Sequence, residues 1–197
     1  MKALLLICFA LLSQQPKSAF ACICSSLTTS LANEMISDAN LIVEGEYIKT
    51  IHFDENMERL LNKSDWGRNI LFKVNKVHKG KVKSDTIAIY QHGGSCDRSF
   101  HKGEKYILLT NKIKSFKSVK LPHLKKEQSE DFQEPPPPPM EPTKNGKVRR
   151  YNVPKPFLDY WNNITENYTT VTISLCNSFI QDSDHGEFIE KELTKNL

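Results

Sequence analysis

The chain has 197 residues, 39% of them hydrophobic and 25% charged, with a formal net charge of +4. This is a globular balance, and basic residues scattered along the chain instead of gathered on one predicted face argue against a nucleic-acid partner. No segment approaches the roughly 20 successive apolar residues that a membrane helix requires, which excludes a transmembrane segment from the mature chain.

The chain opens with Lys2 and an unbroken apolar run from Ala3 to Leu12, followed by a polar stretch and then Ala19-Phe20-Ala21. This pattern predicts a secretory signal peptide over residues 1–21, cleaved before Cys22. The expected destination is the extracellular space or the periplasm. Lipidation of Cys22 in the manner of a bacterial lipoprotein is the weaker reading, because Ser13 to Ser18 separates the apolar run from Cys22 and Phe20 is bulky for such a site. Losing Lys2 and Lys17 lowers the charge from +4 to +2, and Cys8 leaves with the leader, so four of the five cysteines remain. An even count in an oxidising compartment predicts disulfides. A Cys22–Cys24 bond would close a very small ring of poor geometry, so each must reach a distant partner, Cys96 or Cys176. The remaining length suits one domain, residues 22–197.

In chain order, Leu31 and Met35 stand four apart behind Thr29 or Ser30 as possible caps and predict a short helix. Strand patterns follow at Asn40 to Thr50 and Asn69 to His78. Within the second, the phase slips between Val74 and Val77, which predicts a bulge near Asn75. Lys79-Gly80-Lys81 reads as a hairpin turn into a strand over Asp85 to Gln91, and His101-Lys102-Gly103-Glu104 breaks the chain before another at Lys105 to Thr110. Between 112 and 153 Lys and Glu runs and five successive prolines, Pro135 to Pro139, predict a solvated insertion with a stiff polyproline tip, outside the core. Phe157 to Trp161 is aromatic enough to pack on the body as a turn or helix. Val171, Ile173 and Leu175 alternate with Thr170, Thr172 and Ser174 in a fifth strand, and Ile189, Leu193 and Leu197 share one face of a final helix. Short strands closed by tight turns favour a small all-β barrel with flanking helices.

Catalysis finds little support. The six histidines include no two at metal-ligand spacing, and HExxH, GxSxG and phosphate-loop patterns are absent. The expectation is a protein that is no enzyme and holds no cofactor or metal of its own. Asp182 and Asp184 lack the ligand ladder and glycine of a calcium loop and read as a polar turn. Glycan acceptor patterns at Asn62, Asn163 and Asn167 matter only in a host that glycosylates. Cys22-Ile23-Cys24 differs from these, because cleavage before Cys22 creates a free α-amine beside its own carbonyl. Two such atoms can chelate a metal ion, and a catalytic protease zinc keeps an open position for them. An α-amine with a pKa of roughly 7.7 to 8.0 is accessible in its ligating form. Taken by spacing alone, the two cysteines read first as structural staples.

Several of these residues occur together in one family. Cys22-x-Cys24 at the new terminus, Asp38-Ala39-Asn40-Leu41-Ile42-Val43, Phe72-Lys73-Val74 through Lys79-Gly80, Cys96 followed by Phe100 and Gly103, Tyr106-Ile107-Leu108 and Thr172-Ile173-Ser174-Leu175-Cys176 appear in order. In these the chain resembles the N-terminal domain of the tissue inhibitors of metalloproteinases, within the netrin-like group of OB-fold barrels. The resemblance implies a five-stranded OB-fold-like closed barrel and disulfides Cys22–Cys96 and Cys24–Cys176. It implies a zinc metalloprotease as partner, with Cys22 chelating the protease zinc and Ile23 entering the adjacent pocket. Cys24, Ser25, Gly94 and Ser95 would line the same ridge. The chain departs from the family in lacking the domain's third disulfide and the cysteine-rich C-terminal domain, and in carrying Ser26 where proline is common. Because many netrin-like domains inhibit no protease, the alternative is a non-inhibitory extracellular interaction module.

Overall fold

The computed structural model describes residues 24–53, 55–60, 68–93, 96–120 and 145–196. The leader, Cys22, Ile23, Gly94, Ser95, the acceptor Asn62, the proline run and Leu197 lie outside them.

Alternating apolar residues build the barrel strands β1 (Leu41–Thr50), β2 (Ile70–Lys79), β3 (Thr86–Tyr90), β4 (Lys105–Ile113) and β7 (Thr169–Thr172). Between β4 and β7 in the chain come β5 (Ser115–Val119) and β6 (Lys147–Tyr151), and β8 (Ser178–Ile180) follows β7. The pairing order β1-β2-β3-β7-β4 returns to β1 through the β1–β4 ladder and closes a five-stranded OB-fold-like barrel. All of these pairings are antiparallel except β3–β7, which runs parallel from Ile87↔Thr169 to Tyr90↔Thr172. Side chains that point inward, among them Leu41, Val43, Phe72, Ile87, Ile89, Tyr106, Leu108 and Val171, form the central core.

The strand β1 is buried on both faces over its first half, and this requires a second layer. Helices α1 (Thr29–Asp38) and α4 (Asp184–Asn196) supply it, packing Ala32, Ile36, Ile189 and Leu193 against Ile42, Ile107 and Leu109. The α1 cap is Thr28, just ahead of the expected Thr29 or Ser30; its Oγ1 accepts from the Leu31 N–H at 3.2 Å. At the other end of α1, Lys79 Nζ donates to the Ile36 and Ser37 carbonyls, each at 2.8 Å.

The β1–β2 ladder skips Asn75 between Glu44↔Lys76 and Gly45↔Val74, which is the expected bulge, and it skips His78 and Ile48 as well. These extra residues coil the two strands tightly. A Cβ on Gly45 would lie 1.9 Å from the Lys73 carbonyl oxygen, so only glycine fits there. Gly80 turns the chain out of β2 at φ +86°.

A third apolar cluster closes the other side, where α3 (Lys155–Asn167) buries Phe157 and Trp161 against Tyr90, Phe116 and Val148. The expected aromatic segment is thus a full helix, with Pro156 in its first turn where a missing N–H costs nothing. The short helix α2 (Glu55–Leu60) adds Met57 to this cluster.

The segment 112–153 departs from the solvated insertion expected of it. Its described ends carry β5 and β6, which pair in parallel and bury Phe116 and Val148 in the core. The ribbon's outer face gathers the exposed cations Lys117, Lys147 and Arg149, so some basic residues do share a face. The last barrel strand ends at Thr172, and Leu175 falls instead in a 3-10 turn, Leu175–Asn177.

Candidate functional site

Cleavage before Cys22 would leave the new terminus two residues from Cys24, so the surroundings of Cys24 define the candidate edge. Cys24 is bonded to Cys176 across a sequence separation of 152, with Cα atoms 5.4 Å apart. Cys176 sits in the 3-10 turn, and that turn is locked. Ser174 Oγ accepts from the Cys176 N–H at 3.3 Å, while Asn177 Oδ1 accepts from the Ser174 N–H at 2.7 Å. The Ser178 hydroxyl also donates to the Ser174 carbonyl at 2.8 Å. The N-terminal segment is therefore anchored to a turn that cannot pivot freely.

The loop after β3 reaches the same place. The Leu175 N–H donates to the Cys96 carbonyl at 2.8 Å, which brings Cys24, Cys96 and Cys176 to one end of the barrel. Cys96 is disulfide-bonded; the Cys22 expected to be its partner lies outside the described residues. Ser25 is exposed beside Cys24, and the remaining expected ridge residues, Ile23, Gly94 and Ser95, also lie outside them.

What holds the Cys96 loop is Gln91, a residue that carries no motif. Its side chain is fully buried, with Nε2 donating to the Arg68 and Arg98 carbonyls at 2.6 and 3.0 Å and Oε1 accepting from the Arg98 N–H at 2.5 Å. Its own N–H donates to buried Asn69 Oδ1 at 2.8 Å. Asp97 Oδ2 accepts from the Arg68 N–H at 2.9 Å, and burial raises the Asp97 carboxyl above the usual carboxylate range. Next to β3, burial and then the Arg150 charge lower His92 to a pKa of about 4, so this imidazole is neutral at pH 7.

Among the described residues, the other histidines and acids build no such arrangement. Half-buried His78 pairs with buried Glu44 across the β1–β2 ladder, His52, His101 and His185 are exposed, and Asp182 stands in a turn ahead of α4. Among the described residues no group of three or more His, Cys, Asp or Glu is placed to hold a metal ion. Nor, among them, is any helix long and apolar enough to cross a membrane. Asn163 and Asn167 are both exposed on α3. Compared with known proteins, the chain matches no family model and no curated sequence.

Proposed function

We propose that the mature protein is an inhibitor of zinc metalloproteases similar to the tissue inhibitors of metalloproteinases, secreted after removal of residues 1–21. In this reading the Cys22 amine and carbonyl cap the zinc of a partner protease, and Ile23 fills the pocket beside it. The observation that supports it is the convergence of Cys24, Cys96 and Cys176 at one end of a closed OB-fold-like barrel. Anchoring the chain at Cys24 reduces the freedom that a terminal dipeptide would lose on binding, a cost of about 1 to 2 kcal/mol per residue for a free segment. An Ile side chain buried in an apolar pocket would contribute roughly 1.5 to 3 kcal/mol more.

The test is a titration of the mature protein, with Cys22 as its first residue, against a panel of zinc proteases, beside a version extended by one alanine. Stoichiometric inhibition lost on extension is the expected outcome. Equal potency of the two forms would remove the terminal amine from the mechanism. The second reading, a netrin-like interaction module, draws on Ser26 in place of the family's proline, and inhibition of no protease in the panel would favour it.

A further inference from the structure

Next to the Cys24–Cys176 bond lies a cavity of about 620 Å³, within the range typical of small-molecule sites. Its walls are Leu27, Leu31 and Met35 on one side and Leu175, Phe179 and Ile180 on the other. All of these except Phe179 are only half buried, so among the described residues nothing completes their burial.

The lining also includes a cation. Arg98 supplies it, stacked over the Tyr106 ring with Cζ 5.6 Å from the centroid. Its Nε is buried, with no hydrogen-bond partner among the described residues. Among the described residues, no Asp or Glu lines the cavity. Of the groups a ligand could present to Arg98, a carboxylate best fits a guanidinium fork. The Arg98 backbone is clamped by Gln91 on both its N–H and its carbonyl, so the side chain starts from a fixed point. Ser183, just before α4, and His185 in its first turn are also in the lining.

We infer that this cavity is a binding site for a small amphiphile with an aliphatic body and a single carboxylate, the chain lying between α1 and β8 and the carboxylate on Arg98. This site does not depend on the inhibitory reading, because neither the Cys22 amine nor Ile23 takes part in it.

The experiment is calorimetric titration of the oxidised full-length protein with sodium decanoate, decanol and decylamine, each below its aggregation limit. Decanoate binds saturably at one per chain, decanol at least about tenfold more weakly, and decylamine not at all. Arg98→Met retains the stacking on Tyr106 and loses the charge, so it weakens decanoate about ten- to a hundredfold while leaving decanol unchanged. Leu31→Glu places a carboxylate in the apolar wall and abolishes decanoate binding. Absence of saturable decanoate binding, or equal affinity for decanoate and decanol, would overturn the inference. Should Arg98→Met fail to fold, the acid and alcohol comparison on the unaltered protein still decides.

Discussion

Gln91→Met tests whether one amide group holds the Cys96 loop to the barrel. The substitution keeps length and volume but removes three hydrogen bonds, leaving the Arg98 N–H and the Arg68 and Arg98 carbonyls without their partner. An unsatisfied group in a protein interior costs about 1 to 3 kcal/mol. Arg98 is half-buried and Arg68 exposed, so water recovers part of the loss and the lower end applies. The expected sum is about 3 kcal/mol. With a urea slope of about 2 kcal/mol per molar, the unfolding midpoint falls by about 1.5 M. Equilibrium urea unfolding followed by Trp fluorescence measures it, since Trp161 is buried in the third cluster. A midpoint within about 0.3 M of the unaltered protein, at the same slope, would refute the reasoning and make the Gln91 amide dispensable.

Two further outcomes follow from the same structure. Replacing Cys24 and Cys176 together by Ser releases a link across a sequence separation of 152 and lowers stability by about 2 to 5 kcal/mol; a loss under about 1 kcal/mol would mean that the segment before α1 is held by other contacts. His92 has a folded pKa of about 4 against an ordinary 6.5, so the unfolded chain takes up the proton first as pH falls. The stability that neutral His92 contributes is therefore complete above pH 6.5 and is lost as pH drops towards 4, by up to about 3 kcal/mol. His92→Phe, which retains the edge contact with Tyr90, flattens that slope; an unchanged pH profile of unfolding would assign it to other groups.

The five barrel strands were legible because each carries several inward apolar residues at alternate positions, and the bulge at Asn75 was legible because one extra residue inverts that alternation. The strands β5, β6 and β8 were not. Among the described residues each places only one buried apolar side chain in a core cluster, Phe116, Val148 and Phe179 respectively, and Lys117, Lys147 and Arg149 on the ribbon's outer face read as solvated chain. Leu175 continued the alternation of Val171 and Ile173, but Ser174 and Asn177 cap each other and divert the backbone into a turn. The convergence of Cys24 with Cys176 was expected from the resemblance alone, since spacing left the pairing open. Gln91 and Arg98 were missed for a physical reason. A lone Gln ending a strand and a lone Arg in a loop have no periodicity, and only their burial and the carbonyls around them give them a role.

The parallel junction of β3 and β7 also constrains the order of events as the chain folds. Those two strands are more than seventy residues apart, and the tube cannot seal until the later one arrives. Non-local pairings of this kind form slowly. Cys176 follows β7 by only four residues, so its sulfur meets Cys24 when the final seam has been sewn. Loss of the free thiol at Cys176 thus marks a molecule whose wall has already closed, and thiol labelling during oxidative refolding would set a latest time for closure.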